Sequence, residues 1–338
     1  MNPRIVAWEI TRRCPLACRH CRAGAKDHEY SGELTSNECI KVLNSLASFT
    51  RPMIIWTGGE PMYRSDIVEL VKAATERGIR SVMAPCGTMV EKDALMALKE
   101  AGVMACSFSI DGASSESHDA FRGVAGAFVN INRAMRIARE IGMPFQVNSA
   151  VSKLNKEELP EIRELAIKAG AMALDLFFLV PVGRGKGVSD MALPPYDTEE
   201  VLRWAFKMDR EGPIAIRETC APQAVRIWYQ DGRIGNKPSG CMGGKGFVFI
   251  SHTGILQPCG FLDVPCGDLR DFDFNFKAAY LDSKVFHDLS QSDKFGGGCG
   301  KCAFRDDCRG CRARAYAATG DYMAAETSCK IARCGADG

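Results

Sequence analysis

Cys14, Cys18 and Cys21 form a C-x3-C-x2-C run within Thr11-Arg-Arg-Cys-Pro-Leu-Ala-Cys-Arg-His-Cys-Arg22. Thiolates at this spacing suit a soft metal or an iron–sulfur cluster. Three protein ligands leave one iron of a four-iron cluster open, and an open iron can bind a substrate or cofactor directly. Zinc is the competing occupant, but it usually takes a fourth protein ligand and favours paired C-x2-C knuckles. His20 is adjacent to Cys21 and so badly placed to complete a tetrahedron with it. A second set of thiols lies towards the C-terminus: Cys241-x12-Gly254-x4-Cys259, then Cys299-x2-Cys302-x5-Cys308-x2-Cys311, then Cys329. Zinc competes there too, at the Cys299-x2-Cys302 pair. Cys39, Cys86 and Cys106 fall in helix or strand contexts and read as packed small hydrophobes. Cys266 and Cys334 are unassigned.

The chain has 338 residues, 46% hydrophobic and 25% charged, with 16 cysteines. The start, Met-Asn-Pro-Arg-Ile-Val-Ala-Trp, lacks the apolar core of an export signal. A cytoplasmic protein is expected, in which thiols stay reduced and metal or cluster ligation accounts for the cysteines better than disulfides. A net charge of +2 gives no electrostatic case for nucleic acid. No apolar run approaches the length of a membrane span, so no membrane partner is expected.

Short apolar runs alternate with amphipathic ones over the first 185 residues or so. Strands are expected at 5–10, 53–56, 81–84, 105–110, 145–151 and 174–180, and helices at about 35–49, 65–77, 92–100, 129–141 and 157–169. Thr35 with Glu38 forms a capping-box pattern before the first helix. Such alternation argues an α/β chain with a parallel sheet and right-handed crossovers, curled into a partial (βα)6 TIM-like barrel. The cysteine loop, Thr57-Gly58-Gly59-Glu60-Pro61, Asp111-Gly112 and Val180–Gly185 then all sit at C-terminal strand ends and converge on one mouth. Beyond Gly187 come a helix at about 197–209, a hairpin at 246–259 and a helix at about 312–319. Two domains are expected, 1–195 for the barrel and 196–338 for a small Cys-rich unit.

These motifs resemble the radical S-adenosylmethionine (AdoMet) superfamily. The resemblance rests on Cys14/Cys18/Cys21 after the first strand, Gly58-Gly59-Glu60-Pro61 after the second, and the six-unit barrel. It implies a 4Fe-4S cluster on the three cysteines, with the AdoMet amino and carboxylate groups on the open iron. Gly58, Gly59 and Glu60 would meet the AdoMet amino group, which makes physical sense because glycines allow close backbone approach and a carboxylate pairs with an ammonium. Ser109 and Asp111 would contact the ribose, Asn148 on the fifth strand would also meet the cofactor, Val180 would lie near the adenine, and His20 would be the aromatic beside it. The C-terminal cysteines resemble the SPASM/twitch-type auxiliary-cluster domain, which implies one or two further 4Fe-4S clusters. Cys299, Cys302, Cys308 and Cys329 would hold one. Cys241, Cys259 and Cys311, with Cys220, would contribute to another. The usual pattern has x3 before the fourth cysteine of the middle group, whereas Cys308 and Cys311 are separated by x2.

Within the superfamily, the resemblance is to the tetrapyrrole-tailoring branch. It is carried by Arg4-Ile-Val-Ala-Trp-Glu-Ile-Thr-Arg, His118-Asp-Ala-Phe-Arg-Gly123, Phe177-Phe-Leu-Val-Pro-Val-Gly-Arg-Gly185, Thr219-Cys-Ala-Pro222 and Cys311-Arg-Ala-Arg-Ala-Tyr316. It implies oxidative decarboxylation of two propionates of iron-coproporphyrin III to vinyl groups, giving heme b, with an auxiliary cluster to accept the surplus electron. It also implies a low-potential donor such as flavodoxin or ferredoxin. A tetrapyrrole bearing propionates calls for cations at the mouth, and Arg19, Arg22, Arg122, Arg184 and Arg217 are the candidates. His118 is a candidate axial ligand. The alternatives are a SPASM-type peptide or protein maturase, side-chain removal from didecarboxysiroheme, and a non-catalytic cluster scaffold. A peptide maturase often carries an N-terminal recognition domain, whereas this sequence opens on the first strand.

Overall fold

A computed structural model describes residues 2–232 and 237–333. Cys334 lies outside the described residues. The chain alternates β1 (Ile5–Thr11), α1 (Ser36–Phe49), β2 (Met53–Gly58), α2 (Ile67–Glu76), β3 (Arg80–Met83), α3 (Lys92–Ala101) and β4 (Val103–Ser109). Two helices follow, α4 (Ser115–Arg122) and α5 (Ala127–Glu140), then β5 (Phe145–Val151), α6 (Leu159–Ala169), β6 (Ala173–Phe178), α7 (Pro195–Glu211) and β7 (Ala215–Thr219). The last strands are β8 (Phe247–Ile250), β9 (Ile255–Gln257) and β10 (Gly267–Asp268).

Among the described residues the ten strands form one sheet in the order β10-β9-β8-β1-β2-β3-β4-β5-β6-β7. Pairing is parallel from β8 through to β7 and antiparallel from β8 out to β10. The sheet does not close, because β7 and β10 are its edges. The architecture is thus the expected α/β partial barrel, widened by one parallel strand on each side. β7 and β8 both come from the chain past residue 195, so the cysteine-rich stretch is joined to the barrel through the sheet itself.

Side-chain alternation explains how the sheet is covered. Val6, Trp8 and Ile10 of β1 are fully buried in the main core, alongside Cys39, Val42, Leu43 and Leu46 of α1. Trp8 stacks on Trp56 of β2 at 5.6 Å between centroids. The intervening residues, Ala7 and Glu9, face the other side, which is the barrel interior. The Thr35 capping box is formed, with Thr35 N donating to Glu38 Oε2 at 2.7 Å and Glu38 N to Thr35 Oγ1 at 3.3 Å. Helix α4 is not expected from the periodicity, since it is short and polar. It is set by a local capping box between Ser114 and Ser117. Strand β7 (Ala-Ile-Arg-Glu-Thr) is not expected either, because only Ile216 in it is buried. Among the described residues, no helix is long and apolar enough to cross a membrane.

Candidate active site

The cysteine loop leaves the end of β1 and is stitched to the end of β2. Gly59 N donates to Thr11 O at 2.8 Å and Glu60 N to Arg13 O at 2.7 Å. A Cβ at Gly59 would lie 2.2 Å from Arg13 O and 2.4 Å from Arg12 O, so only glycine admits this approach. Cys14 and Cys18 are buried with Leu16, Ala25 and Ala127, and Cys21 and Cys86 pack against them. The Glu60 carboxyl is fully buried beside this group. It accepts from Met62 N at 2.9 Å and from Cys86 N at 2.5 Å. Burial pushes it well above the usual carboxylate range.

Helix α4 closes over the loop. Arg122 Nη2 pairs with Asp111 Oδ2 at 2.6 Å and its Nη1 reaches Cys18 Sγ at 3.7 Å. Asp111, at the end of β4, also accepts from Ala150 N at 2.7 Å, and its own N donates to His118 Nδ1 at 3.1 Å. Burial raises the Asp111 carboxyl, but Arg122 and then His20 more than offset this and hold it below its ordinary value. His20 stacks on Phe121 at 4.5 Å, and its Nδ1 is buried without a hydrogen-bond partner. Burial pulls the His20 imidazole down to about 4. The loop after β6 grips the other flank. Arg184 N donates to Cys21 O at 3.0 Å, Arg184 Nε to Cys18 O at 2.9 Å, and Arg184 Nη1 to Ala25 O. Gly183 makes this possible: it has φ +56°, and a Cβ there would sit 2.1 Å from Arg22 O.

Below the mouth, one lateral row crosses four strands. Ser109 pairs with Asn148, Asn148 with Asp175, and Asp175 with Arg217. Asp175 is buried and accepts from Thr219 Oγ1 at 2.8 Å. Burial pushes its carboxyl up to about 6. Arg217 Nη1 lies 3.4 Å from Gln146 Oε1. On the β1 side, Glu9 is fully buried, with Arg22 Nη1 at 2.8 Å, Arg12 Nε at 2.9 Å and His252 Nδ1 at 2.8 Å. Of the five candidate arginines, Arg22, Arg122 and Arg184 therefore hold internal partners, while Arg19 and Arg217 are exposed.

The C-terminal thiols fall into two groups. Cys299, Cys302, Cys308 and Cys329 line one cavity of about 290 Å³. Cys311 packs with Val180 and Leu262, next to Cys220 and Cys259. Cys220 and Cys241 are close electrostatic neighbours of Cys311, and Cys220 draws the Cys311 thiol towards the thiolate. Despite the x2 spacing, Cys311 therefore stands with Cys220, Cys241 and Cys259. Val180 belongs to the same packed group. Arg312 and Arg314 of the Cys311–Tyr316 stretch, together with Glu326, run between the two groups. Arg312 Nη2 lies 3.6 Å from Cys299 Sγ. The sequence carried a signal for the buried acids Glu9 and Asp175, each a lone carboxylate inside an apolar strand run.

These residues fit clusters. Among the described residues every cysteine is free. Among them, too, no three His, Cys, Asp or Glu side chains converge as a single metal ion requires. A multi-atom cluster asks for a wider ring of thiols than an ion does. The close glycine approach at Gly59 and the orphaned His20 Nδ1 leave polar contacts for a cofactor on the same side.

An open parallel barrel with a three-thiol loop at its mouth defines the class. Residues 8–166 match the family model described as the Radical SAM superfamily, and the chain belongs to that superfamily. It is 40% identical to the protein of Nitratidesulfovibrio vulgaris named AdoMet-dependent heme synthase, over 96% of this chain and 92% of that one. It is also 40% identical to the Methanosarcina barkeri protein of the same name, over 97% and 96% of the two chains. The solved structure of Streptococcus suis SuiB bound to S-adenosylmethionine superimposes with a TM-score of 0.77 at 16% identity, covering 98% of this chain and 78% of that one. A 4Fe-4S cluster and AdoMet are the cofactors that superfamily membership brings.

Proposed function

We propose that this chain makes heme b, by AdoMet-dependent radical decarboxylation of two propionate side chains of iron-coproporphyrin III to vinyl groups. The observation that carries the reading is the 40% identity to AdoMet-dependent heme synthases along nearly the whole chain. The matched span takes in both the three-thiol mouth and the C-terminal thiols. Cys14, Cys18 and Cys21 hold the cluster. Gly58, Gly59 and Glu60 face the methionine end of AdoMet. Asp111, His20, Ser109 and Asn148 line the nucleoside side. When bound, the cluster and AdoMet supply a carbon-centred radical able to take hydrogen from an unactivated C–H bond.

The chain's own residues position and shield. Arg122 and Arg184 fix the cysteine loop from either flank. Arg19 and Arg217 are exposed and can reach substrate carboxylates, Arg217 by leaving its 3.4 Å contact with Gln146. Each vinyl group formed costs the propionate one hydrogen atom and carbon dioxide and leaves one electron over. Cys220, Cys241, Cys259 and Cys311 form the auxiliary donor set nearer the end of β6. Cys299, Cys302, Cys308 and Cys329 form the outer one. These sets give that electron a place to go. A low-potential donor such as flavodoxin or ferredoxin supplies the reducing electron for the first cluster.

The test is anaerobic reconstitution with AdoMet, a strong reductant and iron-coproporphyrin III, followed by mass spectrometry. The expected result is 5′-deoxyadenosine together with successive losses of carbon dioxide plus two hydrogens from the porphyrin. 5′-Deoxyadenosine with unchanged porphyrin would reject the substrate and favour a peptide or another tetrapyrrole. No 5′-deoxyadenosine would reject the enzyme reading altogether.

A further inference from the structure

From its sequence context Cys86 is expected to be a small hydrophobe packed in the barrel wall, as Cys39 and Cys106 are. Those two are fully buried in the main core. Cys86 is not among that core. It follows β3 and turns to the mouth, where it packs, as Cys21 does, against the group built on Cys14 and Cys18. Cys14 is its nearest thiol neighbour within that group. Its backbone N donates to Glu60 Oε2 at 2.5 Å, so it lies on the side of the loop where Gly59 and Glu60 face AdoMet. The mouth therefore holds four thiols, a complete all-cysteine donor set for a 4Fe-4S cluster, of which the sequence spacing reveals three.

We infer that Cys86 is an exchangeable fourth ligand: with no AdoMet bound its thiolate coordinates the iron that Cys14, Cys18 and Cys21 leave open, and AdoMet displaces it. This rests on the radical reading of the site. The exchange is a ligand substitution. The Cys86 thiol gives its proton to solvent when the iron–sulfur bond forms and regains one when AdoMet's amino and carboxylate groups take the position. No electron moves. The resting cluster is thereby coordinatively closed, and the open iron is protected until the cofactor arrives.

The experiment compares wild type with Cys86→Ala and the closer-sized Cys86→Ser, each reconstituted anaerobically. Each is briefly oxidised with and without AdoMet, then read by electron paramagnetic resonance and by iron and sulfide content. Without AdoMet, wild type should keep its iron. Both variants should lose about one iron per chain and show a three-iron signal, because a three-cysteine cluster sheds its unique iron. With AdoMet all three proteins should be protected, and the variants should bind AdoMet several-fold more tightly, since the competing ligand is gone. The C-terminal cysteines are unchanged throughout, so their iron is an internal control for folding. Equal iron loss in all three proteins while AdoMet still alters the cluster signal would overturn the Cys86 inference alone. If AdoMet alters the signal in none of them, the radical reading fails and the inference with it.

Discussion

Arg314 and Glu326 form a buried ion pair, Nη1 to Oε2 at 3.2 Å, between the two C-terminal thiol groups. Glu326 Oε2 also accepts from Cys311 N at 2.7 Å, and Glu326 N donates to Cys299 Sγ at 3.3 Å. Arg314 donates to Cys220 O at 3.0 Å and to Phe178 O and Leu179 O at 3.3 and 3.2 Å. One pair thus ties both thiol groups to the end of β6. Breaking a buried pair from one side costs about 3–5 kcal/mol. Glu326→Gln should therefore lower the unfolding midpoint. It should also raise the potential of the cluster on the Cys311 side, because the Arg314 charge is left uncompensated. A redox titration followed by electron paramagnetic resonance checks this. A lower midpoint with unmoved potentials would make the pair purely structural.

Two glycines hold the cysteine loop by close backbone contact. Gly59→Ala puts a Cβ against Arg13 O, and Gly183→Ala adds a similar clash with Arg22 O at a positive φ. Overpacking of this kind costs about 1–3 kcal/mol. Both variants should fold with their C-terminal clusters intact and lose iron from the N-terminal one. In Gly59→Ala, the chains that keep the cluster should bind AdoMet about tenfold more weakly, the equivalent of about 1.4 kcal/mol. Iron counts and equilibrium AdoMet binding measure the two effects separately.

The barrel was legible because its signals are local. Strand and helix periods alternate cleanly, and the glycines and cysteines at strand ends carry their chemistry in their own spacing. What was not legible is what tertiary contact decides. Cys86 shows no spacing relation to Cys14, Cys18 and Cys21, so only the return of β3 to the mouth reveals it. Strand β7 is half polar and becomes a strand by pairing with β6 through Asp175 and Arg217. Helix α4 is too short for a periodic signal, yet it delivers Arg122 to Asp111 and Cys18. The x2 spacing at Cys311 left its group open. The fold separates it from Cys299 because Cys311 begins the helix Arg312–Thr319, whose Arg314 reaches back to Cys220.

Acid should destabilise the protein in two windows. Burial alone would raise the Glu9 carboxyl, but Arg22, His252 and Arg12 bring it from 4.5 down to about 2. A depressed carboxylate gives stability that is present above its unfolded value and is lost as the pH falls from 4.5 to about 2. Burial lowers the His118 imidazole from 6.5 to about 4, and its Nδ1 accepts from Asp111 N. The unfolded chain takes that proton first, so stability is lost as the pH falls from 6.5 to about 4. Each contribution is on the order of 3 kcal/mol. Denaturation across these ranges should show the upper limb, which His20 shares and the raised Asp175 carboxyl partly opposes, made shallower in His118→Asn, and the lower limb flattened in Glu9→Gln. Unchanged slopes would mean that other groups carry the acid response.

The five candidate arginines should separate by what they already hold. Arg22 is bound to Glu9 and lies over Phe249 at 4.3 Å, Arg122 is bound to Asp111 and Cys18, and Arg184 is bound to Cys18 O and Ala25 O. Removing any of these three strands a buried partner, at a cost of about 1–3 kcal/mol for each unsatisfied group. The expected signature is loss of N-terminal iron, with kcat falling in proportion to cluster content. Arg19 and Arg217 are exposed, so Arg19→Ala and Arg217→Ala should leave iron content and stability unchanged. If they pair with substrate carboxylates, the loss appears in KM for the porphyrin, several-fold for each charge-assisted contact removed. Arg217→Lys should recover only part of it, because an ammonium cannot pair in the two-pronged way a guanidinium does. A KM that moves instead in Arg22→Ala, at full iron content, would place the substrate on the β1 side of the mouth, against Glu9 and Phe249.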